Sequence, residues 1–296
     1  MLSKELRKKI ELIRLTAGKK VTESFTGNYE SAFKGEGIEF DEVKEYVAGD
    51  DYRFIDWNVT ARTGAPHIKR YIEERELSIL FAVDISASSG FQSYGKSKLD
   101  MMAQIVAALA LAAAKSNDKT GLMLFSDHVV KFIPPQKGAQ HNIRLIEEIM
   151  SIKANNEGTN IEQAITYLCE ITQKHWTVFL ISDFYDFNSN WLKLFRSALG
   201  QFDIVPILPK MMADTKLPSG AIINLEDPET KKSIYIDCSS KKIREEFEKK
   251  YQSYHKRLQR DFLSCATRLL CIDMDKDWVN QLITFFYQRE LKRGRG

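Results

Sequence analysis

From Glu76 onward the chain alternates short apolar runs with longer amphipathic ones, and this alternation restricts the fold more than any other feature. The runs at 78–84 (SILFAVD), 177–182 (TVFLIS) and 203–208 (DIVPIL) are apolar at consecutive positions. A strand with one wet face would alternate apolar and polar residues. Continuous apolarity marks strands covered on both faces, as in parallel sheets enclosed by helices. Strands are expected at 78–84, 120–126, 129–133, 176–182, 203–208 and 267–272. Helical periodicity fills the gaps at 97–116, 140–152, 161–173, 190–199, 240–263 and 277–290. Crossovers of this length are right-handed, so the expected class is α/β with a doubly wound, mostly parallel sheet. Residues 121–133 read as two short strands about a tight turn, which places one antiparallel strand at the sheet edge. A second hairpin is expected about Asp227-Pro228.

The first 75 residues have a different character. Leu6, Ile10 and Ile13 recur at helical spacing, and a polar, Gly-containing stretch follows. Residues 37–76 then mix acids, arginines and aromatics, with turn signals at Ala48-Gly49-Asp50 and Thr63-Gly64. The run from His67 to Glu74 reads as an edge strand. We therefore divide the chain into an N-terminal helix and accessory lobe, 1–75, and an α/β domain, 76–296. Phe54 and Trp57 are expected to pack inside the lobe.

A formal net charge of +3 over 296 residues is too small for a dedicated nucleic-acid binder. The Lys- and Arg-rich stretch 240–262 is interleaved with acids and reads as a solvated helical face. The N-terminus is charged and amphipathic, without the apolar run of a signal peptide. The most apolar helix, from Met101 to Lys115, falls short of the roughly 20 residues a membrane span takes. The four cysteines form no CxxC pair, which fits a reduced compartment. The expectation is a cytoplasmic protein with no membrane span and no nucleic-acid partner.

In open α/β sheets, ligands bind beyond the C-terminal ends of the strands. Three loops lie there: after residue 84, before the helix at 161, and after residue 182. They carry Asp84, Ser86 and Ser88; Thr159; and Asp183. Small hydroxyls and carboxylates suit Mg²⁺, a hard cation that takes six oxygen ligands, with Mn²⁺ or Ca²⁺ as alternatives. Hydroxyl ligands carry no charge and leave the cation under-neutralised, which favours an acidic ligand from a protein partner. Each residue also has a plainer local role. Thr159 with Glu162 fits a helix capping box, and Asp183 could cap the turn after its strand.

A competing chemistry overlaps the first loop. Gly90-x-x-x-x-Gly95-Lys96-Ser97 satisfies the P-loop pattern between a strand and a helix, an alternative reading as a nucleotide-binding protein. The strand, however, ends at about Asp84, six residues before the pattern starts. A phosphate cradle should begin where the strand ends and wrap onto the helix N-terminus. Lys96 then reads as a solvated residue at a helix start. Hydrolase chemistry finds no G-x-S-x-G elbow, and two-metal hydrolysis would need a denser carboxylate cluster.

The run Asp84-x-Ser86-x-Ser88, Thr159 in a Gly-Thr-Asn loop, and Ser182-Asp183 after an apolar strand resembles the metal-ion-dependent adhesion site (MIDAS) of von Willebrand factor A domains. Residues 39–64 resemble the signature of the bacterial family of domain of unknown function 58 (DUF58). Its elements here are Lys44-Glu45-Tyr46, Ala48-Gly49-Asp50-Asp51, Arg53-x-Ile55-Asp56-Trp57 and Ala61-Arg62. The resemblance covers roughly residues 20–210 well and the C-terminal third by architecture. Two departures, Ser89-Gly90 where methionine is common and Glu157 where glycine is common, remove no ligand. The resemblance implies a von Willebrand A-like, Rossmannoid core. It also implies metal contact by both serines, with Thr159 and the two acids binding directly or through water. Finally, it implies a non-enzymatic protein-binding module that works as an adaptor with a MoxR-type AAA+ ATPase or its client.

Overall fold

The computed structural model describes residues 4–33, 39–47, 49–72, 76–90, 92–93, 96–152, 158–171, 175–185, 191–220, 222–226 and 233–293. The N-terminal third carries α1 (Lys4–Lys20), α2 (Glu23–Phe33), β1 (Glu39–Glu45), α3 (Trp57–Thr63) and β2 (His67–Ile72). The next segment holds β3 (Ser78–Asp84), the two-residue strands β4 (Gln92–Ser93) and β5 (Lys96–Ser97), α4 (Lys98–Lys115), β6 (Lys119–Phe125), β7 (Val129–Gln136) and α5 (Ala139–Ser151). It continues with α6 (Ile161–Ile171), β8 (Thr177–Ile181), α7 (Trp191–Ala198), β9 (Asp203–Lys210) and α8 (Met212–Thr215). The chain closes with β10 (Ile222–Glu226), β11 (Ser233–Asp237), α9 (Lys241–Ser264), β12 (Leu270–Asp273) and α10 (Trp278–Arg293).

The central sheet has six strands in the order β12-β9-β8-β3-β6-β7, parallel except for the antiparallel edge strand β7. The α/β class, the parallel sheet and the antiparallel edge are thus as expected. Side-chain alternation explains the continuous apolar runs. Ile79, Phe81 and Val83 enter one apolar cluster with α4, α5 and α10, while Leu80 and Ala82 enter a second with α6, α7 and α9. Phe179 and Ile181 split from Val178 and Leu180 in the same way. Gly121 is required where β6 meets β7, because a Cβ there would lie 2.7 Å from the Ile133 carbonyl.

Helix α2 occupies the polar, Gly-containing stretch where no element was anticipated. Phe25, Tyr29 and Phe33 recur every four residues and are all buried. Their rings meet Phe286 of α10 at centroid distances of 5.8, 6.1 and 5.3 Å, and Phe33 also reaches Phe179 of the sheet at 5.4 Å. Tyr29 donates a buried hydrogen bond to Asp118 (2.9 Å), which also accepts from the Leu77 backbone (3.0 Å). Together with Ile10, Ile13 and Ala17 of α1, these residues extend the apolar cluster of one sheet face into the first 33 residues.

The run from His67 is a strand, but not an edge of the central sheet. It pairs antiparallel with β1 in a separate two-stranded sheet, because the acid- and Lys-rich Glu39–Glu45 segment supplies its partner. Asp56 caps α3 by accepting from the Asn58 and Val59 amides. The expectation for the aromatics of this lobe is corrected: Trp57 is 70% and Phe54 39% exposed. Trp57 opens a seven-residue helix and Phe54 lies in a single 3₁₀ turn; neither element buries a residue, so no apolar cluster among the described residues encloses the rings. The expected hairpin forms from β10 and β11, and its apex at Asp227-Pro228 lies outside the described residues. No helix among the described residues is long and apolar enough to cross a membrane.

Candidate metal centre

The apolar strand β3 delivers Asp84 fully buried to the C-terminal edge of the sheet. The chain turns at once into a 3₁₀ segment, Ala87–Gly90. This turn is locked by Asp84 itself, whose Oδ1 accepts from the Ser86 amide (2.9 Å) and whose carbonyl accepts from the Ser89 hydroxyl (2.8 Å). The turn brings the Ser86 and Ser88 hydroxyl oxygens to 3.0 Å from each other.

The second loop completes the group. Thr159 points its hydroxyl at Ser86 Oγ (2.9 Å) and Asp84 Oδ2 (3.3 Å). The capping-box expectation for Thr159 is corrected, because Asn160 takes that role and accepts from the Gln163 amide (3.0 Å). Thr159 is thereby released to face the first loop. The Asn160 amide is itself held by the Ser126 carbonyl (2.8 Å), fixing this loop to the end of β6.

The third loop adds Ser182, which donates to Asp84 Oδ2 at 2.6 Å, and buried Asp183. Phe184, next in sequence, has a left-handed backbone (φ 58°) that costs a bulky residue about 1–2 kcal/mol. Its ring offsets this by packing among Trp191 and Phe262. The strained turn lets the Phe184 amide reach Ser182 Oγ (2.8 Å) and the Tyr185 amide reach Asp183 Oδ1 (3.2 Å). Asp183 therefore does cap its turn. Helix α9 braces the same loop: Tyr254 stacks on Tyr185 at 4.4 Å and donates to the Asp183 carbonyl (3.1 Å).

Among the described residues the centre holds more carboxylate than cationic charge. Burial, followed by the nearby Asp183 carboxylate, pushes the Asp84 carboxyl up to about 7, against the lowering effect of its Ser182 and Ser86 donors. Asp183 is paired with Lys98, whose Nζ lies 3.5 Å from Asp183 Oδ2 and 3.0 Å from Asp214 Oδ1. Among the described residues no group of three or more His, Cys, Asp or Glu could hold a metal ion, so any cation here would rely on hydroxyls.

Of the five residues expected from the sequence, Asp84, Ser86, Ser88 and Thr159 form one contiguous hydrogen-bonded group. Asp183 lies close enough to act on Asp84 but is turned toward Lys98. Sequence reasoning placed Ser182 in the motif without assigning it a role, and missed Lys98. Ser182 was legible as the residue before Asp183 on a strand end. Lys98 had no local signal, since its partners come from residues 183 and 214.

The described residues of the P-loop match depart from a phosphate cradle. Gln92 pairs antiparallel with Ser97 and Ser93 with Lys96, and Ser97 caps α4 in a capping box with Asp100. A nucleotide cradle would need this backbone wound onto the helix end. The Lys96 side chain lies outside the described residues.

Comparison with known proteins gives a family but no function. A family profile described as "Protein of unknown function DUF58" matches residues 42–257. Uncharacterized proteins of Mycobacterium tuberculosis and Mycobacterium bovis are each 26% identical over 284 residues, covering 95% of this chain and 88% of theirs. Among solved structures, a conserved hypothetical protein BatB from Bacteroides thetaiotaomicron aligns with TM-score 0.45 and 17% identity, over 74% of this chain and 100% of that one. An aerotolerance-related membrane protein from Bacteroides fragilis aligns with TM-score 0.43 and 19% identity, over 73% and 99%.

Proposed function

The chain belongs to the DUF58 family, a family of unknown function, and from that premise we propose that it is a non-enzymatic, Mg²⁺-assisted protein-binding module with a von Willebrand A-like core. The observation that carries this reading is the convergence of Ser86, Ser88 and Thr159 on Asp84 at the C-terminal edge of the sheet. The donor set fits the cation. Ligands at adjacent corners of an Mg²⁺ octahedron, with metal–oxygen distances of 2.0–2.1 Å, are about 2.9 Å apart. The Ser86–Ser88 and Ser86–Thr159 oxygens are 3.0 and 2.9 Å apart. Asp84 adds a buried carboxylate that has no ion pair among the described residues, and buried charges of this kind coordinate metals or are paired.

In this reading Ser86 and Ser88 hold Mg²⁺ by their hydroxyls, with Mn²⁺ or Ca²⁺ as possible substitutes. Thr159, Asp84 and Asp183 complete the set directly or through water. The bound ion supplies a positively charged open position for an acidic side chain of the partner. The chain's own residues hold the hydroxyls in place: Asp84 fixes the first loop, Asn160 the second and Tyr254 the third. The family resemblance supports a MoxR-type AAA+ ATPase or its client as partner. It also supports an adaptor role in assembling or maturing protein complexes in the cytoplasm.

The test is capture of a MoxR-type ATPase from the same genome. Capture is expected to require Mg²⁺ and to disappear in Asp84→Ala and Thr159→Ala proteins whose circular dichroism is unchanged. Capture indifferent to chelator and to both substitutions would contradict the reading.

A further inference from the structure

Lys98 violates two local rules at once. It is the first residue of the 18-residue helix α4, where the helix dipole disfavours a cation, and its side chain is 7% exposed although lysines are rarely buried. Both costs are met from outside the helix, by Asp183 and Asp214. Its Nζ lies 3.5 Å from Asp183 Oδ2 and 3.0 Å from Asp214 Oδ1, so the buried ammonium has a carboxylate on two sides. The position is fixed by packing: Ser97 caps the helix, Leu99, Met101 and Met102 are buried beside it, and Met211 donates its amide to Asp214 Oδ2 (3.0 Å).

The consequence lies in charge. Asp84 and Asp183 together would neutralise a divalent cation and leave it little attraction for a further carboxylate. Lys98 already claims Asp183, so of these two acids Asp84 is the one left for the cation. We infer that Lys98 is a built-in counter-cation that keeps Asp183 from fully neutralising a divalent ion at the Ser86–Ser88–Thr159 group, weakening binding of the ion alone and reserving its charge for an acidic partner. This inference rests on the metal-site reading above and names Lys98 as a positioning residue acting through Asp183.

Two substitutions move the system in opposite directions. Lys98→Met frees Asp183 for the cation. Asp214→Asn leaves the ammonium with Asp183 as its remaining carboxylate partner among the described residues. The experiment titrates Mn²⁺ alone into the full chain, reading free Mn²⁺ by electron paramagnetic resonance, with Asp84→Ala as the control for the site. Lys98→Met is expected to tighten Mn²⁺ by about tenfold or more, the scale on which one neighbouring charge shifts a buried equilibrium, and Asp214→Asn to weaken it. A merely structural role would move both variants the same way, toward weaker binding.

Asp84-dependent binding in the wild type that is unchanged or weakened by Lys98→Met overturns the inference and leaves the metal site standing. If Lys98→Met fails to fold, Asp214→Asn decides, and unchanged or tighter binding overturns the inference. If no variant shows Asp84-dependent Mn²⁺ binding, the metal-site reading fails and this inference with it.

Discussion

The C-terminal edge of the sheet and the β1–β2 lobe treat polar and aromatic residues in opposite ways. At the sheet edge, Asp84, Ser86, Ser182, Asp183 and Lys98 are buried, and each has hydrogen-bond or ionic partners inside the fold. In the lobe, Val47, Tyr52 and Trp57 stand largely exposed, although they lie within the residues that match the family profile. Buried polar groups are costly unless satisfied, so the sheet edge is a preorganised centre that needs a rigid core beneath it. Exposed aromatics contribute little to stability, so the lobe's composition is not explained by packing. The family match over residues 42–257 therefore covers one region whose polar groups are buried and paired and another whose aromatics face outward.

The largest expected effect tests whether the rigid core extends into the N-terminal helices. Phe286→Ala removes the ring shared by Phe25, Tyr29 and Phe33 and should cost about 3–5 kcal/mol in urea unfolding. A cost below 1 kcal/mol would detach α2 from the core. Tyr29→Phe comes next, with an expected loss of about 1–3 kcal/mol from leaving Asp118 one partner short.

Asp84→Asn tests whether the sheet edge is short of positive charge. In metal-free protein the raised Asp84 pKa keeps a proton that the unfolded chain releases between about pH 4 and 7. The native state binds more protons there, so Asp84's contribution to stability falls as pH rises through that window. The Asn variant should gain on the wild type between pH 4.5 and 7.5 in chelator, and saturating Mg²⁺ should shrink that gain. A wild type that instead gains on the variant would show that Ser182 and Ser86 suffice for the carboxylate. The smallest effect is in the lobe, where Trp57→Ala should alter stability by no more than about 0.5 kcal/mol. A larger loss would mean the ring is structural and would erase the contrast between the two regions.

Legibility in the sequence follows the same division. Strands β3, β6, β8 and β9 were readable because they are covered on both faces and so carry uninterrupted apolar runs. The grouping of Asp84, Ser86, Ser88 and Thr159 was readable because the ends of those strands fix where the loops between them fall. Helix α2 was hidden by Thr26, Gly27 and Asn28, which dilute a stripe whose members, Phe25, Tyr29 and Phe33, are nonetheless at helical spacing. Lys98 was hidden for a different reason. Its meaning depends on carboxylates 85 and 116 residues away, and no local pattern announces a long-range ion pair. Thr159 fitted a capping box equally well by sequence, and only the position of Asn160 separates the two roles.

The central claim is that the hydroxyls of the first two loops surround a divalent cation. The most direct measurement is a crystal soaked in Mn²⁺, with anomalous scattering used to locate the metal. The account predicts a single peak bonded to Ser86 Oγ and Ser88 Oγ, beside Thr159 and Asp84, that is lost in Asp84→Ala crystals. A soaked crystal with those oxygens still hydrogen-bonded to one another, and no peak between them, would contradict it.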